Sequence, residues 1–315
     1  MFPEPRFVDT ADVRLAIYEA GDGPPVILLH GFPEIAFSWR HQLAALAGAG
    51  YRVVAPDQRG YGRSSVPDEV EAYAIDKLAG DVTGLMDALG LATATIVGHD
   101  WGALVAWHLA LTQPRRIDRL AALNVPLTPR PPVDPIAIFR KRFGNDYYIV
   151  NFQDSDEADR VFDADPGRVI DRLYRKNQLS RADFDELPEK MKTINLLRTV
   201  TEKEASGDAL LTAEEREVYV EAFERSGFTG PINWYRNWTR NWERQADTAV
   251  HVDLPTLFIG AADDVVIPLA LIEGMRPLVS DLRIHMLEDC GHWSQQERPA
   301  EVNRLLLDFL GEALA

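Results

Sequence analysis

The chain has one cysteine, Cys290, among 315 residues. It can hold no intramolecular disulfide framework, and thiol usage this sparse predicts a reducing compartment. Positive charge is also scarce: 33 Lys and Arg stand against 49 Asp and Glu, a net charge of −16. So acidic a chain is repelled by nucleic acid and anionic lipid, which argues against both as partners. Long apolar runs are missing too. The richest stretch, Ala103 to Leu111, falls far short of the roughly 20 residues that span a bilayer. The N-terminal Met1-Phe2-Pro3-Glu4-Pro5 has neither the basic nor the apolar region of a signal peptide. A cytoplasmic protein is expected. With no cysteine pair, two-histidine helical motif or calcium loop, no metal is expected either.

What is present is an ordinary globular composition, 46% hydrophobic and 26% charged. The length suits one large domain, or one domain carrying an insertion. Phe7 to Tyr18 alternates around Thr10-Ala11-Asp12 and predicts a hairpin. Short apolar runs at 26–29, 51–55, 93–97 and 120–124 read as strands buried on both faces. Helical patterns at 39–49, 77–89 and 103–112 separate them and end at Gly50, at Gly90 and near Pro114. This rhythm predicts an α/β fold with a mostly parallel central sheet flanked by helices. It breaks at Pro126, Pro129, Pro131, Pro132 and Pro135. From about 136 to 245 the pattern is helical and charged. Strands return at 254–260 and 282–287, with helices expected at 268–278 and 299–314. The expected division is an α/β core of residues 1–129 and 246–315, with a helical cap at 130–245.

The chemistry centres on Gly98-His99-Asp100-Trp101-Gly102, which follows the apolar run Ala94 to Val97. Its form is that of a nucleophile elbow with aspartate where serine is usual. A serine there makes acyl-enzymes; a carboxylate attacks saturated carbon and makes an alkyl ester. The helix N-terminus would keep Asp100 ionised, although Asp is also a favoured helix N-cap and needs no catalytic role to stand there. His30-Gly31-Phe32-Pro33-Glu34 follows an early strand, where the N–H of Phe32, with that of Trp101, can form an oxyanion hole. Pro33 has no N–H to give. In Asp57 to Ser64 the third glycine of a dinucleotide fingerprint is missing, so that loop reads as structural. The late His292, in Gly291-His292-Trp293, suits a triad in the order nucleophile, acid, histidine. Both Asp263 and Asp264 qualify by position as the acid that orients it. His30 and His99 precede the nucleophile and fit structural or supporting roles. Cys290, with no base of its own, has little claim to catalysis.

At these residues the chain resembles the α/β-hydrolase-fold epoxide hydrolases, of the soluble type without an additional N-terminal domain. The likeness runs nearly end to end. It includes two cap segments, Asp146 to Gln153 and Gly227-Phe228-Thr229-Gly230-Pro231-Ile232-Asn233-Trp234-Tyr235-Arg236. The resemblance implies that Tyr235 is one of two phenols that bind the epoxide oxygen. The other lies four residues before the Phe152-Gln153 pair, at Tyr148 and not Tyr147. The family's spacing from Leu254 and from Pro268 points to Asp264 as the acid. The usual glycine after that strand is displaced, since Gly260 falls one position early, and this keeps Asp263 in view.

The residues support the transfer physically. Epoxide opening creates an alkoxide, a poor leaving group in water, and two O–H donors stabilise it. Against a role for Tyr235, Trp234, Trp238 and Trp242 recur every four residues, a packing stripe that would bury the helix regardless. Tyr235 lies about 100° around the helix from Trp234 and can face elsewhere. The expected reaction is hydrolysis of a small apolar epoxide to a vicinal diol through an ester on Asp100, which His292-activated water breaks. No cofactor is expected, and Glu34 is expected to help hold water. Two alternatives use the same residues differently: a haloalkane dehalogenase, and a fold relative that only binds a ligand. Against haloacids, the nucleophile is followed by Trp101 and not by an arginine that would clamp a carboxylate.

Overall fold

The computed structural model describes residues 2–176, 179–202 and 204–312. The expected opening hairpin is β1 (Arg6–Asp9) paired antiparallel with β2 (Arg14–Ala20). There follow β3 (Pro25–Leu29), α1 (Arg40–Gly48), β4 (Arg52–Pro56), α2 (Ile75–Ala88), β5 (Ala94–His99), α3 (Trp101–Thr112) and β6 (Ile117–Leu123). After the proline-rich stretch come α4 (Pro135–Phe143), α5 (Tyr148–Asp154), α6 (Glu157–Ala164), α7 (Pro166–Leu173), β7 (Arg175–Lys176), α8 (Arg181–Glu186), α9 (Leu196–Thr201), β8 (Asp208–Ala209), α10 (Ala213–Ser226), α11 (Thr229–Arg236) and α12 (Trp238–Arg244). The chain then returns through β9 (Thr256–Ala261), α13 (Leu269–Glu273), β10 (Leu282–Leu287), α14 (Ser294–Glu297) and α15 (Pro299–Leu310).

The main sheet runs β1-β2-β4-β3-β5-β6-β9-β10, parallel from β4 onward. Successive side chains point to opposite faces. Ile27, Leu29, Ile96, Leu120 and Phe258 face α2, α3 and the inserted helices, while Val26, Leu28, Val97, Ala121 and Leu257 face α1 and α15. Burial on both sides explains why these strands read as unbroken apolar runs. Helix α3 is apolar nearly all round because it is buried against the sheet and against Trp234 and Trp238.

Two details depart from the sequence reading. The helix expected at 268–278 is interrupted: α13 stops at Glu273, and a 3-10 turn at Arg276–Leu278 carries Pro277, which lacks the N–H a continuing helix needs. The inserted helical stretch also contains a two-residue antiparallel pairing, β7 with β8, that no local pattern announces. The last helix ends at Leu310; the tail of the expected one, at 313–314, lies outside the described residues. Among the described residues no helix is long and apolar enough to cross a membrane.

Candidate active site

Strand register builds the site. Leu29 pairs with Gly98, His99 with Leu123, and Leu123 with Ile259. The loops that follow β3, β5, β6 and β9 therefore open side by side at the carboxyl edge of the sheet. In the turn from β5 into α3, Asp100 is held at φ 51°, a sparsely populated conformation for a residue with a side chain. The turn is tight enough to require glycine at its contacts. A Cβ on Gly102 would meet Leu29 O at 2.0 Å, and one on Gly31 would meet Asp100 Cβ at 2.4 Å. The Asp100 carboxylate makes no capping bond to α3. It faces outward, and Oδ1 accepts the N–H of Phe32 at 2.8 Å.

His292 stands between two carboxylates. Its Nδ1 donates to Asp264 Oδ2 at 2.9 Å, and its Nε2 lies 3.6 Å from Asp100 Oδ2. Burial opposes the charged imidazole, but Asp264 and Asp100 outweigh it and hold the His292 pKa well above the ordinary histidine value. Burial likewise opposes the Asp264 carboxylate. The charge and hydrogen bond of His292, Asn124 Nδ2 at 2.7 Å and Val266 N at 3.0 Å nonetheless keep it below its ordinary range. Asp263 points elsewhere: its carboxylate accepts the N–H of Arg181, at the start of α8, at 2.8 Å. The Arg181 guanidinium in turn donates to the carbonyls of Asp264 and Ile267. Ser294 Oγ donates to Asn124 Oδ1 at 2.6 Å, so a buried chain from Ser294 through Asn124 backs Asp264. Sequence reasoning missed Asn124 and Ser294; no local motif marks either.

Glu34 lies behind the site rather than on its wall. It is fully buried, and its oxygens accept Gly31 N, His99 Nδ1, Gln295 Nε2 and Gln296 Nε2. Four donors fill the lone-pair sites of a carboxylate, leaving none for the water Glu34 was expected to hold. His99 Nε2 reaches the carbonyl of His292 at 2.8 Å. Each ring nitrogen of His99 meets an acceptor, and although burial opposes the Glu34 carboxylate, its interaction with His99 and the Gly31 N–H keep it below its ordinary range. His30 is buried neutral: burial depresses its pKa to about 4. The Asp57–Ser64 loop is structural, since Asp57 accepts Ala36 N, Arg63 N and Tyr18 Oη while burial raises its pKa to about 6. Burial also pushes the Cys290 thiol far up, so it holds no reactive thiolate.

The inserted helices complete a cavity of about 580 Å³ lined by Phe32, Asp100, Tyr148, Tyr235, Asp264 and His292, among others. The rings of Tyr148, on α5, and Tyr235, on α11, lie 5.6 Å apart. The two helices are tied where they meet: Gln153 Nε2 donates to the carbonyl of Tyr235 at 2.9 Å. Burial first, then the charge of Asp100 and other neighbours, raises both phenol pKa values well above the ordinary tyrosine value. Tyr147 instead packs on Phe139 and Phe143. Trp234 packs against Tyr61 and Trp101 and donates its indole N–H to Arg59 O, whereas Tyr235, although its ring also meets Trp101 and Trp238, lines the cavity.

Comparisons with known proteins agree with this geometry. Residues 24–299 match the model of the alpha/beta hydrolase fold family. The chain is 45% identical to epoxide hydrolase A of Mycobacterium tuberculosis, over 98% of this chain and 97% of that one. It is 38% identical to bifunctional epoxide hydrolase 2 of Sus scrofa over 95% of its own length, though it spans only 53% of that longer protein. The crystal structure of epoxide hydrolase A from Mycobacterium thermoresistibile superposes with a TM-score of 0.87 at 43% identity, covering 99% of this chain and all of the other. An epoxide hydrolase of Vigna radiata superposes equally well at 33% identity, over 98% of this chain and 97% of that one. The chain belongs to the epoxide hydrolases of the α/β-hydrolase fold.

Proposed function

We propose that the chain converts an epoxide to a vicinal diol through an ester on Asp100, beneath a cap formed by residues 130–245 on a core of 1–129 and 246–315. The observation that carries this reading is one cavity lined by a carboxylate at a nucleophile elbow, a carboxylate-backed histidine and two protonated phenols. Asp100 Oδ1 is engaged by the Phe32 N–H, so Oδ2 attacks the epoxide carbon. The carbon–oxygen bond of the ring breaks as the new bond forms. Tyr148 and Tyr235 hold the departing oxygen and one of them protonates it. Oδ1 becomes the ester carbonyl. His292, oriented by Asp264, takes a proton from water, which adds to Cγ, and the N–H groups of Phe32 and Trp101 hold the resulting oxyanion. Collapse breaks the Cγ–Oδ2 bond, the departing alkoxide takes back the proton His292 drew from water and leaves as the diol, and the acid proton left on Asp100 restores the protonation of the resting site. Every group in these steps is a side chain or backbone N–H of this chain, or water. The aromatic wall favours a small apolar epoxide. A lone buried cysteine fits a reducing compartment, the cytoplasm.

A dehalogenase would have no use for two phenols aimed at one oxygen, and a pure binder none for a carboxylate-backed base. A single turnover with excess enzyme in ¹⁸O-water separates the readings. The ester route puts the label in the Asp100 carboxylate and leaves the first diol unlabelled. Label in that diol, or no turnover across a broad epoxide panel, would overturn the proposal.

A further inference from the structure

Residues 173–174, where α7 runs out, touch both loops that serve ester breakdown. Tyr174 is buried, and its hydroxyl donates to the Pro33 carbonyl at 2.9 Å. Pro33 sits in the tight turn Gly31–Glu34, closed by Glu34 N to Gly31 O at 3.0 Å, and that turn presents the Phe32 N–H to Asp100. Glu34 braces the turn from the core side through Gly31 N. Tyr174 braces it from the cap side. The Tyr174 ring also stacks on Trp293, with centroids 4.6 Å apart and planes 5° from parallel, and the Trp293 indole N–H donates to Leu173 O at 2.9 Å. Trp293 is the neighbour of His292. Tyr219 lies against the other side of this cluster and donates to Gln296, which itself donates to Glu34.

We propose that Tyr174 is a positioning residue for breakdown of the alkyl-enzyme ester, holding the oxyanion turn through Pro33 and the base loop through Trp293. This rests on the epoxide reading above and adds a division of labour to it. Ester formation draws on the Asp100 carboxylate and the two phenols, with the Phe32 N–H only orienting Oδ1. Ester breakdown draws on the same N–H to hold the oxyanion and on His292 as base, so it needs both loops at once, and one cap segment spans the supports of both. The two groups must be set against the same Cγ at the same moment, and small misplacements of such groups are costly in rate. Glu34 ties the two loops from the core side, through Gly31 N and, by way of His99, through the His292 carbonyl, and Tyr174 ties them from the cap side, so their spacing is braced on both faces.

The test is a rapid-quench single turnover of styrene oxide by excess enzyme, with the Asp100 ester followed by intact mass. Tyr174→Phe keeps the ring on Trp293 and removes the hydroxyl's bond to Pro33 together with its hydrogen bond with Tyr219. We expect ester breakdown to slow by about tenfold, short of the 10²–10³ that outright loss of an oxyanion donor costs. Ester formation should stay within about twofold, so kcat falls with KM and the ester accumulates. Trp293→Phe, which keeps an aromatic face but loses the bond to Leu173, should bias the steps the same way. Wild-type partitioning in both variants, or equal slowing of both steps, overturns the proposal, because a merely structural residue would loosen the site without choosing a step. His292→Gln is the control for the parent reading. No ester in that variant sinks the epoxide mechanism itself, whereas ester there and wild-type partitioning in the other two sinks only the role of Tyr174.

Discussion

The Nε2 of His292 faces Asp100 Oδ2 at 3.6 Å while its Nδ1 bonds Asp264 at 2.9 Å, so the base is bracketed by two anions until the nucleophile is consumed. In the resting site the imidazole therefore holds its proton well above the ordinary histidine value. Esterification neutralises Asp100 and removes one of those anions. The His292 pKa then falls, and the proton it releases balances the one a phenol gave to the alkoxide. Making the ester thus produces the base that breaks it.

Asp100→Asn removes that anion permanently and, by this account, lowers the His292 pKa toward the ordinary range. The folded group is raised, so it holds its proton as pH climbs past about 6.5, the unperturbed value, and loses it only near its own higher value. In the variant that loss moves to lower pH. Titration of the imidazole by NMR reads the shift directly. An unchanged titration in Asp100→Asn would mean that Asp100 does not govern the base.

A pH profile resolved by step follows. Breakdown needs neutral His292, so its rate should drop on acidification through the pKa of the ester form. Formation needs ionised Asp100 and protonated phenols. Both phenols are raised well above the ordinary value of 10 by burial and by Asp100, so no alkaline limb from tyrosine should appear below that pH. An alkaline fall in the formation rate near 9 would count against the phenols as proton donors.

Removing one phenol should act on the other step. Tyr148→Phe or Tyr235→Phe is expected to cut the rate of ester formation by about 10²–10³, the scale for a lost oxyanion donor, and to leave breakdown of a preformed ester nearly unchanged. The double variant should open epoxides hardly at all. Retained ring opening in that variant would dismiss both residues from the reaction.

Much of this site was legible in one dimension because each catalytic part has a local signature. The elbow follows a buried strand, the oxyanion loop follows an earlier one, and Gly291-His292-Trp293 follows the last. What could not be read is whatever depends on distant parts of the chain meeting. Tyr174 and Pro33 are 141 residues apart, and Asn124 and Ser294 are 170 apart. Glu34 shows the same limit from the other side. Within the oxyanion loop it is expected to help hold water, but the glutamines of α14 arrive from the far end of the chain and fill its lone pairs. The break after α13 falls at Gly274 and Pro277, which the apolar pattern around them masks in the sequence.

Asp263 and Asp264 give the most direct check on the triad, since they are neighbours of one chemistry with different partners. Asp264 receives His292 and Asn124, so Asp264→Asn replaces an acceptor with a group that can present N–H to the imidazole. The ring then loses its fixed tautomer and the anion that stabilises its charge. A drop in kcat of about 10²–10⁴ is expected, the range that general-base catalysis supplies, with ester accumulating on Asp100. Among the described residues the Asp263 carboxylate receives a backbone N–H at the start of α8, and its amide isostere can still accept that bond through its carbonyl oxygen. Asp263→Asn should keep kcat within a fewfold of wild type and should cost thermal stability modestly, through the docking of α8. Equal losses in the two variants would remove Asp264 as the orienting acid, and a larger loss at Asp263 would reassign that role to it.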